Sequence, residues 1–177
     1  SLLWSFKNPN HEREIGKAIT DKHPELYISL SSQVAPVIGE YERTATTVMN
    51  ASLGPPIKKH LDLLTGELEK KHLRTPLLIM QSTGGVVPAA DAAMKPVTLV
   101  NSGPSGGLIA SKYISQLLGE KNVICIDMGG TSFDASLITN GEYSASLVSR
   151  AVNQDIFVPM LDIYSIGAGG GSIAWVD

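Results

Sequence analysis

The residues best placed to do chemistry in this chain are Asp127-Met-Gly-Gly-Thr-Ser-Phe-Asp134. Two carboxylates bracket two glycines and two hydroxyls. Gly129 and Gly130 allow close backbone approach and unusual φ, so that consecutive N–H groups can point at an anion. Thr131 and Ser132 add hydroxyl donors. Asp127, at the end of a strand, can bind Mg²⁺ directly or through water. Asp134 is expected one full alternation further along. A P-loop would need G-x-x-x-x-G-K-[ST] and a following helix. Here no lysine follows, and the next segment alternates like a strand. The pattern predicts a strand–turn–strand phosphate clamp, with a tight hairpin of incidental polar residues as the competing account.

Three other segments have ligand-binding composition. Ser102-Gly-Pro-Ser-Gly-Gly107 precedes a helix, where free N–H groups and the helix dipole favour an anion. Ser102, Gly103, Gly106 and Gly107 are its candidate contacts. Ser102 or Ser105 can equally be a plain N-cap, and the glycines can simply let the helix pack closely. Gly167-Ala-Gly-Gly-Gly-Ser172 has only a superficial likeness to a dinucleotide fingerprint, which needs a helix after it. Gly169 and Gly170 are its candidate nucleotide contacts. Gln81-Ser-Thr-Gly-Gly85 lies at a strand's C-terminal end, where open α/β sheets bind ligands.

Other chemistry is weakly supported. His11, His23, His60 and His72 stand singly on helical segments without metal-ligand spacing, and read as surface residues. Cys125, within Val-Ile-Cys-Ile, reads as a small buried hydrophobe rather than a nucleophile. As the one cysteine it forms no internal disulfide, which fits a reducing, cytoplasmic setting. Tyr41-Glu-Arg-Thr44 reads as an exposed turn with a salt bridge.

The framework for these motifs follows from hydrophobic period and turn residues. Leu2–Phe6 reads as a short buried strand. A helix over about Pro9–Lys22 follows, with Asn8 as N-cap and Pro9 at the first position. Leu26–Leu30 is the next strand, making a βαβ unit that favours a parallel pair. Gly39–Met49 is polar and threonine-rich. After Pro55-Pro56, Ile57, Leu61, Leu64 and Leu68 recur at helical steps to near His72. Leu77–Gln81 is a buried strand, Ala89–Met94 a short helix and Val97–Val100 a strand. Ser102 to Leu118 is a helix with Gly119 as its C-cap. Val123–Asp127 is an apolar strand and Ser132–Thr139 its hairpin partner. Asn140-Gly141 turns into a third strand over Glu142–Arg150. Ile163–Ile166 and Ile173–Val176 complete the strands.

The chain has 177 residues, 43% hydrophobic content and a net charge of −3. That suffices for one α/β domain or two small subdomains. The charge argues against a general nucleic-acid surface. No apolar run approaches the ~18 residues of a membrane span. Both ends lie in apolar runs, which suggests a piece of a longer protein.

The motifs together carry a family resemblance. Leu-Leu-Trp-Ser-Phe with Asn-Pro-Asn-His-Glu, Tyr41-Glu-Arg-Thr-Ala-Thr-Thr-Val-Met-Asn-Ala51, Leu77-Leu-Ile-Met-Gln-Ser-Thr-Gly-Gly-Val86, the Ser102 and Asp127 segments, and Val158 through Asp177 resemble the central part of the hydantoinase A/oxoprolinase family. The resemblance implies an α/β fold of actin-like ATPase, ribonuclease H-like architecture: a mixed sheet with flanking helices, as part of a larger two-domain protein. Residues 1–75 would form a βα unit and long helix connecting from a preceding domain. Residues 76–177 would form the ribonuclease H-like subdomain with the hairpin. It implies ATP and Mg²⁺ as cofactors, and a small cyclic amide of the hydantoin or 5-oxoproline type as substrate. ATP would activate the ring carbonyl for hydrolysis. A hydantoinase B-type partner subunit and an oligomeric full-length protein are implied too. Asp127 and Asp134 would be catalytic, with Asp127 on the metal. Gly129, Gly130, Thr131 and Ser132 would hold phosphate. Alternatives are a subunit of an ATP-dependent ketone carboxylase, or a nucleotide-binding module without catalysis of its own.

The resemblance also implies an opposing phosphate hairpin outside these residues. Phosphoryl transfer needs charge neutralised from both sides. The 177 residues alone are therefore expected to show little ATP hydrolysis with 5-oxoproline or hydantoin. Robust turnover by them would overturn that expectation.

Overall fold

A computed structural model describes residues 1–151 and 154–175. The first half is helical. Helix α1 spans Asn10–Lys22, α2 spans Ser31–Val34 and α3 spans Glu40–Lys70. Strands β1 (Leu78–Met80) and β2 (Val86–Pro88) form a small hairpin, followed by α4 (Ala89–Met94) and a 3₁₀ turn over Pro96–Leu99. Helix α5 (Ser102–Leu118) then leads into β3 (Val123–Met128) and β4 (Phe133–Thr139). Short strands follow: β5 (Glu142–Tyr143), β6 (Ala145–Ser146), β7 (Ser149–Ala151), β8 (Gln154–Ile156), β9 (Met160–Leu161) and β10 (Tyr164–Ile166).

The main sheet runs β10-β4-β3, with β5 also on β4. Every strand pair among the described residues is antiparallel. The expected mixed sheet is thus replaced by an antiparallel one. The cause lies at Leu2–Phe6 and Leu26–Leu30, which form no strands. Leu2–Phe6 is a run of turns with Trp4 at φ 59, and Leu2, Leu3 and Trp4 are exposed. The second segment has no regular secondary structure, and its side chains serve helix packing instead. Leu30 lies against Gly16, and Tyr27 lies against Gly54 of α3.

Helix α3 runs unbroken through Pro55 and Pro56, which were expected to start a new helix. Each proline removes an amide donor and crowds the preceding turn, at a cost of ~3 kcal/mol. Side-chain ties along the helix oppose this cost. Asn50, fully buried, donates to Ser29 Oγ at 2.9 Å and accepts from the Val97 amide at 3.2 Å. Thr46 Oγ1 accepts from the Phe157 amide at 2.8 Å. Apolar packing adds to them: Val34, Val97, Ile156, Val158 and Met160 form one core, with Met49 and Val100 against it. That core draws on both sides of residue 75.

A second core lies between α5 and the main sheet. Leu108, Ile138 and Leu161 are buried there, flanked by Ile109, Val123 and Cys125. Cys125 Sγ sits 3.0 Å from Ser111 Oγ. The other sheet face carries Ile124, Ile126, Met128, Leu137, Tyr164 and Ile166, all exposed. Among the described residues, a helix therefore covers one face only.

Several local expectations hold. Ala89–Met94 and Ser102–Leu118 are helices, and Gly119 caps the latter at φ 72. Asn140 and Gly141 take φ 55 and 82, the geometry of a tight hairpin turn. Others do not. Val97–Val100 is not a strand: its first three residues belong to the 3₁₀ turn that Pro96 opens, and Val100 ends it. Glu142–Arg150 breaks into three short strands, as β6 leaves β4 to pair with β9. Ile173–Trp175 is not a strand, and Val176 lies outside the described residues.

One buried polar cluster escaped the sequence reading. Arg43, expected in an exposed turn, is 1% exposed in the first turn of α3. Its guanidinium donates to the Leu2 carbonyl, to Ser5 Oγ at 2.8 Å and to Ser31 Oγ at 3.0 Å. The same hydroxyls reach the buried Glu12 carboxylate, at 2.9 and 2.5 Å, where the amides of Leu2 and Ser32 also donate. Arg43 and Glu12 are thus joined through serines, tying the N-terminal turns to α1, α2 and α3.

Burial alone would raise the Glu12 pKa. The hydrogen bonds from Ser31, Ser32 and Leu2 outweigh it and hold the carboxyl at about 2, against 4.5 unperturbed. The stabilisation is complete above pH 4.5 and is lost as pH falls towards 2. At 1.36 kcal/mol per pKa unit it amounts to about 3 kcal/mol. Denaturant unfolding between pH 5 and 2.5 should show this loss, and Glu12→Gln should remove most of that dependence while lowering stability at neutral pH.

Candidate functional site

The glycine hairpin is built by the register of β3 and β4. Asp127 pairs directly with Asp134, and Met128 with Phe133. The two carboxylates therefore face each other on one side of the sheet, rather than being offset by an alternation. Alternation along β3 puts Val123, Cys125 and Asp127 on the α5 side, so the acids stand at the end of a row that is otherwise core. Like charges directly opposite are destabilising unless something sits between or upon them.

The two acids have different surroundings. Asp127 is exposed. Asp134 is half-buried and accepts from Ser132 Oγ at 3.4 Å and from Ser165 Oγ. Ser165 comes from β10, whose register sets it opposite Asp134. Sequence reasoning missed Ser165, because nothing local marks one serine two residues before a glycine run as a neighbour of a residue 31 positions earlier.

Between the strands, the Gly129 amide donates to the Ser132 carbonyl at 3.0 Å. Neither Gly129 nor Gly130 has a positive φ, so unusual dihedrals are not their use here. Close approach is. Gly170 donates to the Gly129 carbonyl at 2.9 Å, and Gly171 to the Gly130 carbonyl at 3.2 Å. A Cβ on Gly169 would stand 2.7 Å from the Gly129 oxygen and 2.8 Å from the Thr131 nitrogen. The Gly167–Ser172 segment is thus laid backbone to backbone on the hairpin, and Ser172 Oγ accepts from the Gly169 amide at 2.9 Å. Its contacts use the hairpin's carbonyls. Among the described residues, the amides of Gly130, Thr131 and Ser132 meet no protein acceptor. They form a run of three free donors on an exposed turn.

The other candidates fall elsewhere. Asn101, at φ 59, precedes α5, and Ser105 is buried, with Oγ donating to the Ser82 carbonyl at 3.1 Å and the Asn101 carbonyl at 2.8 Å. Ser105 ties helix to turn. Gly106 lies against Met80, while Gly103 and Gly107 face open space. Among the described residues, no hydrogen bond joins Ser102, Gly103, Gly106 or Gly107 to the hairpin. The Gln81–Gly85 turn is an internal anchor. Ser82 is fully buried, donating through its amide to Thr98 and accepting from the Leu161 amide. Gly84 needs its φ of +82, and a Cβ there would meet Ile109 at 2.7 Å. All four histidines are exposed.

What these donors can do is bind an anion beside two carboxylates. Among the described residues, no group of three or more His, Cys, Asp or Glu forms a metal cluster. Asp127, exposed, and Asp134, half-buried, suit Mg²⁺ instead, which keeps several waters and takes one or two carboxylates plus phosphate oxygens.

The chain is a mixed α/β unit whose glycine hairpin is backed by a second glycine segment, and comparison with known proteins places it more narrowly. The Hydantoinase/oxoprolinase profile matches residues 43–177, and the chain belongs to that family. It is 37% identical over its whole length to the caprolactamase α subunit of Pseudomonas jessenii, of which it spans 25%. It is 35% identical to the 5-oxoprolinase of Saccharomyces cerevisiae, over 98% of this chain and 13% of that one. The crystal structure of the ATP-dependent caprolactamase superposes with a TM-score of 0.83 over 100% of this chain and 26% of that one. The nucleotide-free acetone carboxylase, an enzyme of ATP-dependent acetone carboxylation, also gives 0.83, at 31% identity over 96% of this chain and 24% of that one. The chain thus spans about a quarter of the relatives with solved structures.

Gly169 should be the least replaceable glycine. Gly169→Ala is expected to destabilise by about 1–3 kcal/mol through overpacking and to part the two glycine segments. Gly167→Ala, with nothing within 4 Å, should be near neutral. Denaturation midpoints of both variants check this.

Proposed function

We propose that this chain supplies one jaw of the ATP-phosphate clamp in an ATP-dependent hydrolase of cyclic amides. The observation that carries the reading is the free amide run Gly130–Ser132 set beside the Asp127–Asp134 pair. Caprolactamase and 5-oxoprolinase, both similar to this chain, are named for cyclic amide substrates. In this reading Gly130, Thr131 and Ser132 hold phosphate oxygens, and Gly169 and Gly170 brace the hairpin. Asp127 would hold Mg²⁺, with Asp134, oriented by Ser132 and Ser165, as the second acid of the pair. The nucleotide, when bound, supplies the phosphoryl group that turns the ring carbonyl oxygen into a leaving group. Of the candidates at the start of α5, Gly106 lies against Met80, and Ser102, Gly103 and Gly107 remain open to a ligand.

The proposed architecture is of the actin-like, ribonuclease H-like kind. The antiparallel β3–β4–β10 sheet with α5 on one face supports it. A hydantoinase B-type partner is proposed because the caprolactamase relative is named as a subunit. The likeness to acetone carboxylase supports a second reading, a carboxylase subunit using the same clamp.

The test uses the full-length protein with its partner. Asp127→Asn should lower ATP-dependent ring opening of caprolactam or 5-oxoproline by about 100-fold or more, as expected for loss of a charge-stabilising group at a phosphoryl site. Folding should be unchanged by circular dichroism. Wild-type turnover in a folded Asp127→Asn protein would sink the assignment.

A further inference from the structure

Lys95 follows α4 and lies in a cavity remote in sequence from the glycine hairpin. The cavity has a volume of about 380 Å³. One wall is the segment Ile28–Leu30 with α2, and the other is α4 with Lys95. The walls are fastened to each other. Tyr27 OH donates to the carbonyls of Ala93 and Met94 at 2.8 and 3.0 Å. Asn50 Nδ2 links Ser29 Oγ, at 2.9 Å, to the Met94 carbonyl, at 3.4 Å.

The lining is mainly apolar, with the polar Ser29 and Gln33 and two charged side chains. Ile28, Leu30, Val34 and Met94 supply the apolar surface, and Lys95 and Asp91 the ionic groups. Among the described residues, no carboxylate lies within ion-pair distance of Lys95. Burial lowers the Lys95 pKa, as expected for an ammonium taken partly out of water. A desolvated cation is unfavourable until an anion meets it. Asp91 lies one helical turn earlier, exposed and without an ion-pair partner among the described residues. A mainly apolar cavity of this size with a few charged anchors has the composition of a small-ligand site.

We propose that this cavity binds a short aminocarboxylate: its carboxylate on Lys95 Nζ, its methylene chain along Ile28, Leu30, Val34 and Met94, and its amine towards Asp91. The assignment goes beyond the phosphate reading and uses no residue of the hairpin. Only the source of the ligand rests on the proposed function, since hydrolysis of a cyclic amide releases a compound of this class.

The experiment is isothermal titration calorimetry of the full-length protein, without nucleotide, using 6-aminohexanoate, hexanoate and hexylamine as probes. Saturable binding of 6-aminohexanoate is expected, with hexanoate weaker and hexylamine weakest. Lys95→Met, which keeps the apolar stem, should weaken 6-aminohexanoate by at least about tenfold, the loss of one hydrogen bond to a charged group. Lys95→Arg should retain most of the binding. Asp91→Asn should abolish the preference for 6-aminohexanoate over hexanoate. Absence of saturable binding, or binding unchanged in Lys95→Met, overturns the proposal. Because no nucleotide is present, failure here leaves the clamp reading standing, and failure of Asp127→Asn to affect turnover leaves this one standing.

Discussion

Antiparallel register between β3, β4 and β10 sets Asp127 against Asp134 and Ser165 against Asp134 in turn. A slip of one residue would send all three side chains to the opposite face. The register is held from the core side. Val123, Cys125, Ser136 and Ile138 lie in the same rows as the acids and pack towards α5 and Leu108. The Asn140-Gly141 turn pins the far end of β4, with the Gly141 amide on the Lys121 carbonyl at 2.7 Å. The carboxylates are therefore positioned by apolar burial some residues away. Their mutual repulsion, ~1 kcal/mol or less at a wet sheet end, is small beside that burial.

The second constraint is close contact between two glycine segments. Gly169 to Gly171 can lie on Gly129 and Gly130 because no side chain intervenes. The contact consumes hairpin carbonyls and leaves hairpin amides free. That division gives the turn its chemical polarity. An exposed loop whose carbonyls are satisfied and whose amides are not favours an anion. Flexibility alone would give no such preference, so the glycines act here by proximity, whereas Gly84 and Gly141 act through positive φ.

The helical half solves a different problem. Few apolar side chains of its 31-residue helix are buried: Leu61 is, while Val48, Leu63 and Leu64 are exposed. Buried polar side chains anchor it instead. Asn50, Thr46 and Arg43 each form hydrogen bonds to segments distant in sequence, and Glu12 collects four donors in one pocket. Such networks are favourable only when well satisfied. This one nearly is, with Arg43 Nε and Ser32 Oγ the buried atoms left over.

Much of this was legible in the residues. The hairpin, α4, α5 with its Gly119 cap, and the Asn140-Gly141 turn follow from local preferences that no distant contact overrides. The phosphate reading of Asp127–Asp134 also rests on local composition. Tertiary structure decided what local preference leaves open. It made Leu26–Leu30 a packing segment, since a strand exists only beside a partner. It carried α3 through Pro55-Pro56, since packing and side-chain ties outweigh two missing amides. It turned Arg43 inward, since charge alone does not say whether serines and a carboxylate await it. And it paired Asp134 with both Asp127 and Ser165, because strand register joins residues through space, whereas sequence spacing records only their order along the chain.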